Sequence, residues 1–299
     1  MGLVSCEEFF CQMKLRSRHS YFLALIVILV GGAFLQLPSA EAQKPLAAST
    51  RPFEPVEELF FEAEFSRALL RGLNVAEFTL RANQTLSNED ANAKEVKQYL
   101  LTLSADVVSK GFFTRLFNLR FRERVQSTVE PTTFTIQKTT ILDEQGKRVR
   151  ITETTYDRTQ GKMAWTVRDP NNPEAEPRHS ITQFSGQLQD VLSAIYFIRT
   201  QKLQVGKSFE VFIGDGGNVY KVPVHIVEKK KMKTPVGRVN VFRVEPDLFG
   251  PGKMIDEAKG QFSLWITDDE RHLPVNARVK TEYGTFDIRL KRVLNNPPK

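Results

Sequence analysis

The sequence predicts a mainly β protein: a large curved antiparallel sheet, a half-barrel or barrel, with one short amphipathic helix around 186–199. Three observations predict it. Apolar and polar residues alternate with a period of two along most of the chain after residue 55, as in strands that bury one face. The alternating runs are short and are punctuated by turns rich in Gly, Asp and Asn, as in barrels and sandwiches. Helical periodicity is scarce, and residues 186–199 are its clearest instance.

From the N-terminus, Lys14, Arg16 and Arg18 form a charged start. The apolar run 21–30 follows, trailing through 31–34, and then Leu37-Pro38-Ser39 and Ala40-Glu41-Ala42 precede Gln43. These are the three parts of a secretory signal. The apolar core is shorter than the about 20 residues of a spanning helix. We expect a signal peptide over 1–42, cut between Ala42 and Gln43, with an uncleaved anchor as the competing reading. Met13 offers a more usual signal start than Met1. Cys6 and Cys11, the only cysteines, lie upstream of the apolar core. The mature chain therefore has no thiol for a disulfide, a lipid anchor, a nucleophile or a metal site.

Residues 43–55 form a flexible leader, 56–294 a single β-rich domain and 295–299 a loose tail. In the first strand Leu59, Phe61, Ala63 and Phe65 share a face opposite Glu58, Glu62 and Glu64. Ala76, Phe78, Leu80 and Ala82 repeat the pattern. The stretch 87–109 is mixed: Asn88-Glu89-Asp90-Ala91 opens like a helix or loop, and residues 99–103 form a strand. Phe134 and Ile136 lead to the turn Asp143-Glu144-Gln145-Gly146, and Val149 and Ile151 leave it. Asn171 to Pro177 is an exposed loop. In the helix Leu188, Val191, Leu192 and Ile195 make one stripe, and Ser185 is the expected cap. Such a helix covers an open sheet face or plugs a barrel mouth. Phe209, Val211 and Ile213 run into Gly214-Asp215-Gly216-Gly217, and Tyr220, Val222, Val224 and Ile226 leave it. The last third alternates through Phe262, Leu264 and Ile266, then Leu273, Val275, Ala277 and Val279, then Phe286, Ile288 and Leu290, with a polar turn at Asp268-Asp269-Glu270-Arg271.

The net charge is +7, and removing residues 1–42 leaves it unchanged, because three basic and three acidic residues leave together. A basic balance favours anionic partners. Outside the cytoplasm these are headgroups or envelope polymers, and nucleic acid is not expected. His179, His225 and His272 are scattered, so no metal site is expected. Neither a G-x-S-x-G elbow nor a phosphate-binding glycine loop occurs. Asp215-Gly216-Gly217-Asn218 shares residues with a calcium loop but lacks its later glutamate, and a hairpin turn accounts for it better. Glu58, Glu62, Glu64 and Glu77 are candidates for a glycosidase carboxylate pair, against a solvated strand face. The run Lys229-Lys230-Lys231-Met232-Lys233 joins two strands, either guarding a sheet edge or forming an anion patch. Arg115, Arg120, Arg122 and Arg124 lie among Phe112, Phe113, Phe117 and Phe121. That segment suits a membrane surface or acidic polymer, or a strand with one core side.

Asp190-Val191-Leu192-Ser193-Ala194-Ile195-Tyr196-Phe197-Ile198-Arg199 resembles the D-x-L-S-A-x-Y-x-x-R helix of domain-of-unknown-function family 3108, exported bacterial envelope proteins. Leu203 and Gly206, Thr234-Pro235-Val236-Gly237, Trp265-Ile266-Thr267-Asp268-Asp269 and Arg271-His272-Leu273-Pro274-Val275 fit its later elements, with Thr267 where the family usually has serine. The resemblance covers residues 56–293. It implies a curved antiparallel sheet similar to LolA/LolB-type half-barrels, which hold acyl chains. It implies no activity. Its shared polar positions, Asp190, Ser193, Tyr196, Arg199, Asp268, Asp269 and Arg271, become candidate binding residues. For Ser193 and Tyr196 a helix docked on a sheet is the competing role, and for Arg199 pairing with an acidic turn.

These features point away from an enzyme and a cofactor. They point to a periplasmic or extracellular binding or assembly factor for acyl chains or an anionic envelope polymer. The alternatives are an envelope glycan hydrolase and a protein-binding scaffold.

Overall fold

A computed structural model describes residues 56–68, 70–86, 99–111 and 120–295. The signal peptide, its cleavage site, the leader, residues 87–98 and 112–119 and the end of the tail lie outside the described residues. The described chain forms β1 (Val56–Arg67), β2 (Leu70–Leu86), β3 (Tyr99–Ser109), β4 (Phe121–Glu130), β5 (Thr135–Gln145), β6 (Arg148–Asp157), β7 (Lys162–Arg168) and β8 (Arg178–Gln183). It continues as β9 (Leu188–Gln189), the helix α1 (Val191–Thr200), β10 (Ser208–Asp215), β11 (Asn218–Thr234), β12 (Gly237–Pro246), β13 (Gly260–Thr267), β14 (Pro274–Thr281) and β15 (Gly284–Asn295).

All fifteen described strands belong to one sheet, ordered β8-β7-β6-β5-β4-β3-β2-β1-β15-β14-β13-β12-β11-β10-β9. Two meanders are thus joined where β1 pairs antiparallel with β15. The β9–β10 contact is parallel, and the other pairings are antiparallel. This is the predicted class, a mainly β protein with a curved antiparallel sheet and, among the described residues, one helix.

The alternation in β1 explains its place. Leu59, Phe61, Ala63 and Phe65 are buried, while Glu58, Glu62 and Glu64 face outward and pair with Arg81, Lys291 and Arg289. Glu77 pairs with Lys110 on the same outer surface. The four glutamates therefore form the solvated face rather than a cleft. The main core fills the concave side across β1–β4 and β10–β15 and encloses α1. A smaller cluster joins Ile136, Tyr156, Met163, Leu188 and Phe212.

Three local expectations are corrected. First, α1 begins at Val191, not near 186, and Asp190 caps it instead of Ser185. Leu188 and Gln189 are drawn into the sheet beside Phe212 and Ile213. The helix is then buried on most sides, with Tyr196, Phe197, Ile198 and Arg199 all inside, so it fills the barrel rather than covering one face. Second, the lysine run lies within β11, and the connecting turn falls at Pro235-Val236. Because β10 pairs with β11 only as far as His225, the lysines sit where β11 has a strand on one side alone, which fits an edge guard. Third, β5 extends to Gln145, so the expected turn from Asp143 narrows to Gly146-Lys147.

The two ends of the sheet approach each other without a backbone ladder. The β10–β11 hairpin turns at Gly216-Gly217, both at positive φ (56° and 83°), the two-residue geometry that matches strand twist. Thr182 Oγ1 of β8 donates to the Gly217 carbonyl at 2.5 Å. A Cβ at residue 217 would collide with Ser180 Oγ and touch the Trp165 ring. Glycine is required there both by backbone angle and by space.

Candidate functional site

A trough of about 780 Å³, including the space at its mouth, opens where the sheet ends meet the start of α1. On β6, Arg150, Thr152, Thr154 and Tyr156 alternate onto its wall. Their cross-strand partners Asp143, Ile141 and Thr139 on β5 share that wall. Trp165 and Val167 of β7 and Arg178 of β8 complete one side. Asp190, Val191 and Leu192 close it from the helix, and Gly214, Asp215 and Gly216 from the hairpin tip. The polar face of β6 therefore points inward, whereas its apolar Val149 and Ile151 lie on the other face and are half-buried.

The mouth is basic. Arg150 and Arg178 form no ion pair among the described residues. Burial pulls the Arg150 guanidinium below its usual range, with further repulsion from Arg148 and Arg178. Asp143 is taken by Arg148 at 2.8 Å and by the Gln145 amide at 3.1 Å. Burial nonetheless raises its carboxyl above the usual range. Arg178 also stacks 5.9 Å from the Trp165 ring centroid.

The inner end is acidic. Asp190 is buried, and its Oδ2 accepts from Ser127 Oγ and from Thr139 Oγ1 (2.5 Å). Its Oδ1 accepts from the Ser193 amide at 2.6 Å, while the Asp190 amide donates to Ser193 Oγ at 2.9 Å. This reciprocal capping box fixes the first turn of α1. Asp215 is pushed up to about 7, first by burial and then by the Asp190 charge, against one stabilising hydrogen bond from the Gly216 amide. The Tyr156 hydroxyl, 3.3 Å from Thr139 Oγ1, is raised well above its usual range by burial and by Asp190.

Of the seven candidate residues, Asp190 alone lines the trough. Ser193 is its capping partner. The others gather at the far end of α1. Arg199, with a fully buried side chain, makes a two-pronged contact with Glu57 (2.7 and 2.8 Å). Its guanidinium also lies 5.0 Å from the Tyr196 ring centroid and donates to the Arg271 carbonyl at 3.1 Å. His272 Nδ1 donates to the Arg199 carbonyl at 2.6 Å, since a carbonyl only accepts. Asp269 accepts from Thr267 Oγ1 (2.6 Å) and the His272 amide (3.1 Å), Arg271 approaches Asp269 at 3.7 Å, and Asp268 pairs with Lys229. The acidic turn does dock beside Arg199, but the carboxylate that Arg199 holds is Glu57.

Sequence reasoning missed Glu57, Arg150, Arg178, Trp165 and Tyr156. Glu57 carried a signal: it stands in phase with Leu59, Phe61 and Ala63, a charge on the core face. Arg150 and Tyr156 also stand in phase with each other, but nothing in the alternation says that this face of β6 turns inward. Asp215 was visible only as a turn residue. Among the described residues no group of three or more His, Cys, Asp or Glu side chains is placed to hold a metal.

The curved sheet, its internal helix and the charged trough define a barrel-like β protein. The chain belongs to the family described as "Protein of unknown function (DUF3108)", whose model matches residues 61–291. No curated protein matches it. Among solved structures it is similar to a β-barrel-like protein of domain of unknown function DUF1849 from Brucella abortus. That likeness has a TM-score of 0.48 and 8% identity, covering 81% of this chain and 98% of that one.

Proposed function

We propose that this chain is an exported, non-enzymatic binding or assembly factor for cell-envelope material, and that the trough receives an anionic group of an envelope polymer. The observation that carries this reading is the pair Arg150 and Arg178, two guanidiniums without ion-pair partners on the wall of one trough. Adjacent like charges are costly until an anion joins them, and Arg is suited to bind oxyanions through its planar fork. The net charge of +7 supports the same partner class. An acyl chain finds less support, because apolar side chains and α1 fill the concave side, and the trough that is left, although Val125, Ile141, Trp165, Val167, Val191 and Leu192 line part of it, also carries Arg150, Arg178, Asp143, Asp190 and Asp215. A glycan hydrolase built on Asp190 and Asp215 is also less supported: donors already hold both Asp190 oxygens, and the helix depends on them.

Export rests on the charged start, the apolar run 21–30 and the Ala40-Glu41-Ala42 site. No helix among the described residues is long and apolar enough to cross a membrane. N-terminal sequencing of protein recovered from outside the cytoplasm should begin at Gln43; protein retaining residues 13–42 would refute the cleavage. The mature protein should bind oligogalacturonate with an affinity that falls steeply with salt, and should not take up a fluorescent fatty acid. The reverse pattern would return the assignment to acyl carriage.

A further inference from the structure

Trp165 shares the wall of the trough with Arg150 and Arg178. It stands cross-strand from Thr154 of β6 and Ser180 of β8. Two residues further along β7, Val167 stands cross-strand from Thr152 and Arg178, and Arg150 lies two residues beyond Thr152 on β6. Along the wall the order is therefore indole, Arg178, Arg150, at about 7 Å per two-residue step. The indole is half-buried. Two features leave it open to the trough. The hairpin tip reaches it at Gly217, where an added Cβ would lie 3.8 Å from Trp165 Cδ2, so the tip brings no side chain onto the ring. The Arg178 guanidinium is 5.9 Å from the ring centroid, at the outer limit of a cation–π contact, and is not pressed onto it. The other tryptophan, Trp265, is buried, with Lys230 and Arg278 5.2 and 5.6 Å from its ring centroid. An open aromatic face beside cations matches a ligand unit that has a flat apolar face and an anion on it. A hexuronate is such a unit. Its C–H bonds give the pyranose an apolar face, its carboxylate is carried directly on the ring, and its hydroxyls can bond to Thr152, which lines the trough between Trp165 and Arg150.

We propose that the anionic partner is an acidic polysaccharide, and that a uronate ring seats on the Trp165 indole with its carboxylate between Arg178 and Arg150. This rests on the anion-binding reading of the trough and adds a platform for the sugar. The guanidiniums attract any polyanion, whereas the indole rewards only one whose charge is carried on a ring. Trp165 is thus the residue that sets specificity, and the two arginines set affinity for charge.

Hexagalacturonate and acetyl-hexaglutamate amide carry the same number of carboxylates, the second without sugar rings. Titrated into the mature protein, hexagalacturonate should bind roughly tenfold tighter, on the order of what one aromatic face contributes, and should change the tryptophan emission. Trp165→Ala should lose that advantage and leave hexaglutamate binding as it was. Trp165→Phe should keep most of the advantage, while its emission, now from Trp265 alone, should not respond. Equal affinity of the two hexamers in the wild type, an advantage that survives in Trp165→Ala, or an emission change of the same size in Trp165→Phe would overturn the platform. A thymidylate hexamer that binds as tightly as hexagalacturonate and depends equally on Trp165 would also overturn it, because the stacked ring would then be a base. If binding of the hexamers is still lost in Arg150→Ala/Arg178→Ala, the anion-binding reading stands alone. If that variant binds both as well as wild type does, or if neither hexamer binds wild type, both readings fall.

Discussion

At the scale of single residues, two buried carboxylates tie the helix to the sheet. Glu57 and Arg199 are separated widely in sequence and meet with both side chains inaccessible. Removing one partner of such a pair leaves a buried charge, so Glu57→Ala should cost about 3–5 kcal/mol in urea unfolding. The isosteric pair Glu57→Leu with Arg199→Met should recover most of that loss; a double variant no better than the single one would show that the pair does more than satisfy itself. Asp190→Ala removes a cap and leaves the Ser127 and Thr139 hydroxyls without their acceptor, with an expected loss of about 1–3 kcal/mol. The motif around Asp190, Ser193, Tyr196 and Arg199 was legible as a set, but its partners were not. Ser127, Thr139 and Glu57 come from strands far away in the chain, and their pairing depends on the order of the sheet.

At the scale of elements, strand periodicity was legible because one buried face imposes a period of two. β1, β4 and most of β11 and β15 follow it, whereas β10 and β13 are buried on both faces over Val211–Gly214 and Phe262–Thr267. It failed to say which face of β6 turns inward. There the sheet curls around a trough of mixed lining instead of a closed apolar core, so inward positions of β6 carry Arg150, Thr152 and Thr154. The start of α1 was misplaced for a related reason: residues 188–189 have helical neighbours in sequence but a free β10 edge beside them in space. The seam between β8 and the β10–β11 hairpin is a second non-local feature. Gly217→Val would force a β-branched residue into positive φ and into Ser180. We expect a loss of about 1–3 kcal/mol and faster amide hydrogen exchange confined to β8 and the hairpin. Exchange unchanged there would mean that the seam does not hold the sheet ends together.

At the scale of the whole molecule, the sheet order places opposite charges inside one trough, and among the described residues it leaves the half-buried Asp215 and the buried Glu257 without an ion pair. Asp215 and Glu257 are both pushed up to about 7 chiefly by burial. Unfolded carboxyls titrate near 4, so the folded state holds these protons more tightly. Their contribution to stability is complete below about pH 4 and is lost as pH rises through 7. Asp215→Asn should therefore melt at a higher temperature than wild type at pH 8, with a smaller gap at pH 5; a gap that is constant or reversed would count against an uncompensated carboxyl at this position. The class of fold could be foreseen from alternation and turns, whereas the trough could not, because it is made by the meeting of two sheet ends with the helix cap. The proposed function requires that trough to be the binding site. Titration of oligogalacturonate into wild type and into Arg150→Ala/Arg178→Ala tests this most directly. The predicted result is at least a tenfold loss of affinity in the variant, about 1.4 kcal/mol, with its fold intact by circular dichroism. An unchanged affinity in a folded variant would contradict it.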